Sequence, residues 1–229
     1  MGRVRFITMY FFLHPISTLN HFLARLVTDQ IILFLTLLFF LYLSFNYKTP
    51  FWQRLDKKFL ELPAGGNKNF FKEHAESFAV FGNAISHILL SIILAIVFFL
   101  VKHEFSISLS ILFTLIFSWG LNRALKLIYK RQRPEKITDS IRKRLSYCFP
   151  SGHVMASIAI YFFNAMLLQN LIPFLPWYII AAFISVCVVT SRIYLNHHFI
   201  TDVIGGITAG IICLNISIWI YFLLVLGMM

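Results

Sequence analysis

The sequence predicts an all-α protein, a polytopic membrane bundle of about six transmembrane helices with an interfacial N-terminal segment. Three observations lead there. Of 229 residues, 59% are hydrophobic and only 13% are charged, about half the charge of an ordinary soluble domain. The charges avoid whole stretches: no Asp, Glu, Lys or Arg lies between Val154 and Ser191 or after Asp202. Finally, six apolar stretches approach the roughly 20 residues (range about 17–25) that a helix needs to cross a bilayer.

The stretches run Val27–Phe45, Phe78–Val101, Ser106–Leu125, Val154–Leu171, Leu175–Ser191 and Val203–Gly227. The fourth and fifth are short and joined by a turn holding Pro173 and Pro176, so an antiparallel helical hairpin is expected. Residues 1–25 carry Arg3 and Arg5 before a short apolar run that His14-Pro15 interrupts, with no small-residue cleavage site after it. They read as an uncleaved segment near the membrane interface. Asn46–Ser77 mixes charges with Phe51, Trp52, Phe59, Phe70 and Phe71, the composition of an amphipathic interfacial segment. Lys126–Pro150 is a second, strongly basic loop. At this length residues 1–229 are expected to form a single membrane-embedded domain.

The formal net charge is +11, crowded into Lys48–Lys72 and Arg123–Arg144. Between apolar spans such patches suit anionic lipid headgroups rather than nucleic acid. The three cysteines show no disulfide or zinc spacing.

Irregular backbone is excluded from the hydrocarbon, so polar loops collect at the two surfaces. Counting spans places Lys126, His153, Arg192 and Asp202 at one surface. Lys126 and Arg133 lie seven apart and are expected on one face of a helix that Pro134 terminates. They would bind phosphate oxygens, or alternatively snorkel at a helix end. Pro150-Ser151-Gly152-His153 precedes the fourth span. A glycine lets the backbone approach an anion at a helix N-terminus, Ser151 offers a hydroxyl, and His153 can protonate a leaving oxygen. An ordinary capped helix start is the plainer account of the same turn. Ser191, Arg192, His198 and Asp202 form the third group. Asp202 is four residues after His198, on the same face if the stretch is helical, and would hold one ring nitrogen while the other attacks phosphorus. His197 has only Thr201 at that spacing, so His198 is the preferred nucleophile. His153, His197, His198 and Asp202 could serve as metal ligands on paper. Lys126, Arg133 and Arg192 would repel a divalent cation, so no metal and no cofactor is expected. Asn122 and His87 read as packing residues.

Together these groups resemble the type 2 phosphatidic acid phosphatase family, whose signatures are KxxxxxxRP, PSGH and SRxxxxxHxxxD. The chain matches them in order at Lys126–Arg133-Pro134, Pro150–His153 and Ser191-Arg192–His198–Asp202, within residues of about 105–215. The resemblance implies that His198 forms a phosphohistidine, oriented by Asp202, and that His153 protonates the leaving group. It assigns Lys126, Arg133, Ser151, Gly152 and Arg192 to the phosphate oxygens. The implied activity is metal-independent removal of phosphate from a membrane lipid. Phosphatidylglycerophosphate, phosphatidate, undecaprenyl diphosphate and phosphorylated lipid A are the candidates. A phosphotransferase using the same intermediate, or a non-catalytic lipid-phosphate binder or transporter, are the alternatives. The resemblance also implies a multi-pass inner-membrane protein with its site on the extracytoplasmic face. The basic loops argue for the opposite orientation, because Lys and Arg favour cytoplasmic loops.

Overall fold

The structure, a computed structural model, describes residues 15–61, 68–134 and 147–227, with side chains for 30–61, 73–101, 103–134 and 147–225. Its elements are α1 (Pro15–Asn46), α2 (Pro50–Leu60), α3 (Lys68–Phe81), α4 (Ala84–Lys102), α5 (Phe105–Tyr129), α6 (Gly152–Leu171), α7 (Trp177–Tyr194) and α8 (Ile200–Gly227). Five helical segments are long and apolar enough to cross a membrane. Gln30–Asn46, joined to Pro50–Leu60 across an 87° bend, is a sixth candidate. The expected count of six is reached when that bent pair is taken as one span, and the α6–α7 hairpin turns at 172–176 as expected.

Two boundaries depart from the sequence reading. Helix α1 starts at Pro15 rather than near Val27, so the residues 15–25 expected at the interface belong to the first helix, while residues 1–14 lie outside the described residues. The second span begins at Glu73 and is broken at Gly82-Asn83, where Asn83 takes an extended conformation (φ −77°, ψ 156°). A Cβ on Gly82 would sit 2.8 Å from Val188 and 3.2 Å from the His153 Cβ. Glycine thus lets the broken span press against α6 and α7 at the very point where His153 stands.

Helix α6 is the centre, buried at Val154, Met155, Ala159, Ile160 and Phe163 and packed against α5, α7 and α8. The surrounding helices turn large apolar side chains outward, such as Phe45, Ile116 and Ile179, which suits an acyl-chain environment and not water. Between helices already immersed in hydrocarbon, burial of apolar area adds little, so close packing and internal hydrogen bonds must hold them. Helix α5 shows how. Ser106, Ser110, Thr114, Ser118 and Asn122 recur every four residues and are all buried, giving a small polar stripe along one face. Ser110 and Thr114 return their hydroxyls to Ser106 O and Ser110 O, so the stripe presents no unpaired group there. Ser108 donates across to the Ala95 carbonyl of α4 at 2.8 Å.

The bend after α1 lays α2 across one end of the bundle with Trp52 and Asp56 buried and Gln53, Arg54, Lys57 and Lys58 exposed. This burial pattern is that of the amphipathic helix expected within Asn46–Ser77. Gly65-Gly66 lie outside the described residues.

Candidate active site

The end of α5, the start of α6, the end of α7 and the start of α8 meet beneath α2, and every candidate residue lies there. Helix α5 carries Lys126 in its last turn and stops at Tyr129 because Lys130 turns left-handed (φ 47°). Arg133 is therefore not on the helix, as the spacing to Lys126 suggested. It sits on a non-helical segment tied down by Cys148 N–H donating to Arg131 O at 2.9 Å. Its Nη1 donates to the His197 carbonyl at 3.1 Å, which brings the first motif to the third.

Ser151 stands at the N-cap of α6 but makes no capping hydrogen bond, and its buried Oγ has no partner. The plain helix-start account of the turn predicts a capping bond, which is not made here. The turn is fixed by other means. Asn122 Nδ2 donates to Pro150 O at 3.2 Å, Ser151 N–H donates to Asp202 O at 2.9 Å, and Phe149 stacks on Tyr47 at 5.4 Å. A Cβ on Gly152 would fall 2.6 Å from Asn122 Oδ1, so glycine is needed there for packing as well as for open backbone N–H groups. His153 projects from the first turn, its Nε2 3.2 Å from Asn83 Oδ1 in the broken span.

Helix α7 ends with Ser191 and Arg192, both buried, and the chain then passes Asn196 (φ 53°) to His198. His198 precedes α8 and is not helical, so the pairing with Asp202 does not come from a shared helix face. Asp202 is the third residue of α8. Its Oδ2 reaches back to the Phe199 N–H at 3.0 Å, the reciprocal half of a capping box. That return bend sets Oδ2 3.4 Å from His198 Nδ1, an electrostatic contact without a formed hydrogen bond, which is usual for catalytic pairs before substrate binds. Nε2 is the ring nitrogen that does not face Asp202. Burial lowers the His198 pKa from the ordinary imidazole range; the Asp202 carboxylate opposes this, and Arg133 and Lys126 reinforce it. Burial thus favours the neutral form of His198 at pH 7.

A second layer of residues was not anticipated. Arg131 Nη2 meets Asp56 Oδ2 at 2.6 Å and its Nη1 meets Asp202 Oδ1 at 2.8 Å. Asp56 also accepts from Thr201 N–H at 3.0 Å, so a carboxylate from α2 caps α8. The guanidinium lies 4.5 Å from the Tyr47 ring and 4.2 Å from that of Phe199. Burial alone would lower the Arg131 pKa, but the two carboxylates outweigh it and raise it. Arg131 is thus occupied in neutralising Asp56 and Asp202. Lys126 and Arg192 have no carboxylate within salt-bridge distance among the described residues. His153 interacts electrostatically with Arg192, His198 and Lys126, and Arg133 repels both Arg192 and Lys126. Partly desolvated cations collected this way are costly unless an anion joins them. Arg133 also lines a cavity of about 630 Å³ against α2, together with Lys48, Lys57, Arg131 and Phe199.

Among the described residues no three His, Cys, Asp or Glu side chains are grouped to hold a metal ion. Burial pushes the Cys148 thiol well above its ordinary range, and it donates to Gln132 O at 3.0 Å as a structural group. His87 contacts Ser157 at 3.3 Å and stacks edge-on to Tyr161, in keeping with packing.

The chain has known relatives. The profile of the PAP2 superfamily matches residues 107–225. Phosphatidylglycerophosphatase B of Bacillus subtilis is 40% identical over 97 residues, 40% of this chain and 47% of that protein. Lipid A 4'-phosphatase of Porphyromonas gingivalis is 39% identical over 66 residues, 29% of this chain and 26% of that protein. The matches thus span about half and a quarter of these relatives' lengths. The crystal structure of a transmembrane PAP2 type phosphatidylglycerolphosphate phosphatase from Bacillus subtilis superposes with a TM-score of 0.74 at 28% identity, covering 82% of this chain and 94% of that one.

Proposed function

The chain belongs to the PAP2 superfamily, and on that premise we propose that it hydrolyses a membrane lipid phosphate or pyrophosphate, without a metal, through a phosphohistidine on His198. The observation that carries the reading is the pairing of a buried, neutral His198 with Asp202 beside Lys126, Arg133 and Arg192. Binding alone would need the cations; it would not need an imidazole oriented by a carboxylate.

Nε2 of His198 attacks phosphorus, and the bond to the lipid oxygen (or the leaving phosphate oxygen) breaks on the opposite side. His153 gives its proton to that oxygen, and Asp202 stabilises the imidazolium-like phosphohistidine. Lys126, Arg133, Arg192, the Ser151 hydroxyl and the Gly152 N–H take the three equatorial oxygens, where charge stabilisation provides most of the catalysis. Water, deprotonated by the now neutral His153, then cleaves the P–N bond and releases inorganic phosphate. His153 regains its proton in that step.

The substrates named for the relatives set the panel: phosphatidylglycerophosphate and a lipid A phosphate, with phosphatidate and undecaprenyl diphosphate beside them. Phosphate release measured with chelator present is expected from wild type and absent from His198→Ala. Full release from the variant overturns the reading, and chelator-sensitive release overturns its metal independence.

We place the protein in the inner membrane with the site on the extracytoplasmic face, as the family resemblance implies. The exposed Lys48, Arg54, Lys57 and Lys58 share the site's side and favour the reverse. Lys58→Cys decides it. All three native cysteines are buried, so an impermeant maleimide should label that variant in intact cells; labelling only after lysis reverses the assignment.

A further inference from the structure

A break inside a spanning helix frees backbone carbonyls that hydrocarbon cannot satisfy. The break at Gly82-Asn83 lies within the span Glu73–Val101, just before α4. Two carbonyls beside it are met by hydroxyls. The Val80 carbonyl accepts from Ser86 Oγ at 2.6 Å, and the Phe81 carbonyl accepts from the Tyr161 hydroxyl at 2.5 Å. Tyr161 belongs to α6, the helix whose first turn carries His153. Gly82 rests against that same turn, since a Cβ there would come within 3.2 Å of His153 Cβ and 3.4 Å of its Cδ2. Helix α6 therefore fixes the break relative to His153 at two levels.

Asn83 stands at the N-cap of α4. Asparagine is favoured at such positions because its side-chain oxygen can accept from a backbone N–H of the first turn. Here it makes no capping hydrogen bond. Its Oδ1 lies instead 3.2 Å from Nε2 of His153, 70 residues further along the chain. The contact has a second rung one turn deeper. His87 and Ser157, each four residues on, meet at 3.3 Å through His87 Nε2 and Ser157 Oγ, and the His87 ring stands edge-on to Tyr161. Asn83 is exposed, but these rungs set the register of α4 on α6, so its approach to His153 is built into the packing.

We propose that Asn83 is a positioning residue for His153, its amide oxygen holding Nε2–H so that Nδ1 is the nitrogen that passes the proton. The inference rests on the reading above, in which His153 serves the leaving group. A carbonyl oxygen can only accept, so the nitrogen that faces it keeps its hydrogen in both charge states of the ring. Nδ1–H then gives its proton to the lipid oxygen as the P–O bond breaks. In the second step Nδ1 takes a proton from water as the water oxygen bonds phosphorus and the P–N bond breaks. Without Asn83 the ring loses the partner that sets its rotation, and the acid is misaimed.

The test uses two esters, an alkyl phosphate and p-nitrophenyl phosphate. An alkoxide needs a proton to leave, whereas nitrophenolate departs without one, and kcat/KM covers the steps up to the phosphohistidine. Asn83→Ala should lower kcat/KM about tenfold or more on the alkyl ester and less than about threefold on the nitrophenyl ester. His198→Ala should lose both, because both esters need the nucleophile. Asn83→Asp keeps an accepting oxygen and should hold the alkyl ester within about threefold of wild type. With His198→Ala inactive, equal losses on the two esters in Asn83→Ala, or no loss on either, overturn this inference alone. Asn83→Asp falling as far as Asn83→Ala also overturns it, since the amide N–H would then be the partner. Undiminished release from His198→Ala overturns the phosphatase reading and this inference with it.

Discussion

Arg131 Nη1 lies 2.8 Å from Asp202 Oδ1, so the carboxylate that faces His198 with one oxygen is held through the other. The same guanidinium is anchored to Asp56 on α2 at 2.6 Å. Removing it leaves two buried carboxylates uncompensated, a change that costs about 3–5 kcal/mol in comparable buried pairs. Arg131→Met should therefore lower the thermal midpoint in detergent and reduce kcat, with KM for the lipid phosphate changed less. Arg131→Lys restores the charge but not the planar fork and should recover only part of both. A raised KM at unchanged kcat would instead show Arg131 binding phosphate.

The two adjacent histidines should separate cleanly. His197 offers its backbone carbonyl to Arg133, which alanine keeps. His197→Ala should retain most phosphate release, whereas His198→Ala should lose more than about a thousandfold. Comparable losses at both positions would contradict the assignment.

Much of this was legible in the sequence, for a physical reason. Each motif is short and local, so its residues and their loop can be read from spacing, and counting apolar spans brings the loops to one surface. The second layer had no such signal. Asp56 and Thr201 are 145 residues apart and joined only by the fold. Arg131 is hidden among the basic residues Lys126, Lys130 and Arg133, and which of these is spent on a carboxylate depends on where the helix stops. It stops at Tyr129, which also removed the helical premise for pairing Lys126 with Arg133. The His198–Asp202 spacing pointed to the right pair through the wrong geometry, since a capping bend and not a helix face joins them. The four-residue stripe on α5 was readable and ends at Asn122, which pins the Pro150 turn.

The pH profile should carry the buried state of His198. Its folded pKa lies below the ordinary 6.5, because burial penalises the imidazolium. With His198 as the proposed nucleophile, the acid limb of kcat/KM assigned to it should fall below pH 6.5. The unfolded imidazole binds its proton first as pH drops, so this contribution is complete above 6.5 and is lost as pH falls toward the folded value. Asp202→Asn removes the charge that opposes the shift and should move the limb further down while lowering kcat. A limb displaced upward would contradict this electrostatic account.

Two glycines in spanning helices should respond in opposite directions. A Cβ on Gly206 would meet the Ser151 carbonyl oxygen at 2.8 Å, a backbone atom of the turn that opens α6. Gly206→Ala should destabilise by about 1–3 kcal/mol and lower phosphate release, because α6 and α8 must part. Around Gly120 nothing lies within 4 Å, so Gly120→Ala should leave the thermal midpoint unchanged or raise it. Calorimetry or a thermal-shift assay in detergent compares them directly.

The central claim is that phosphate passes through His198, and trapping the intermediate tests it most directly. A lipid phosphate carrying radioactive phosphorus is mixed with the enzyme and quenched in base within a single turnover. The account predicts label on the protein that is stable in base, labile in acid, located on the peptide containing His198, and absent from His198→Asn. Undiminished label on His198→Asn, or label mapped to His153 or His197, would contradict it.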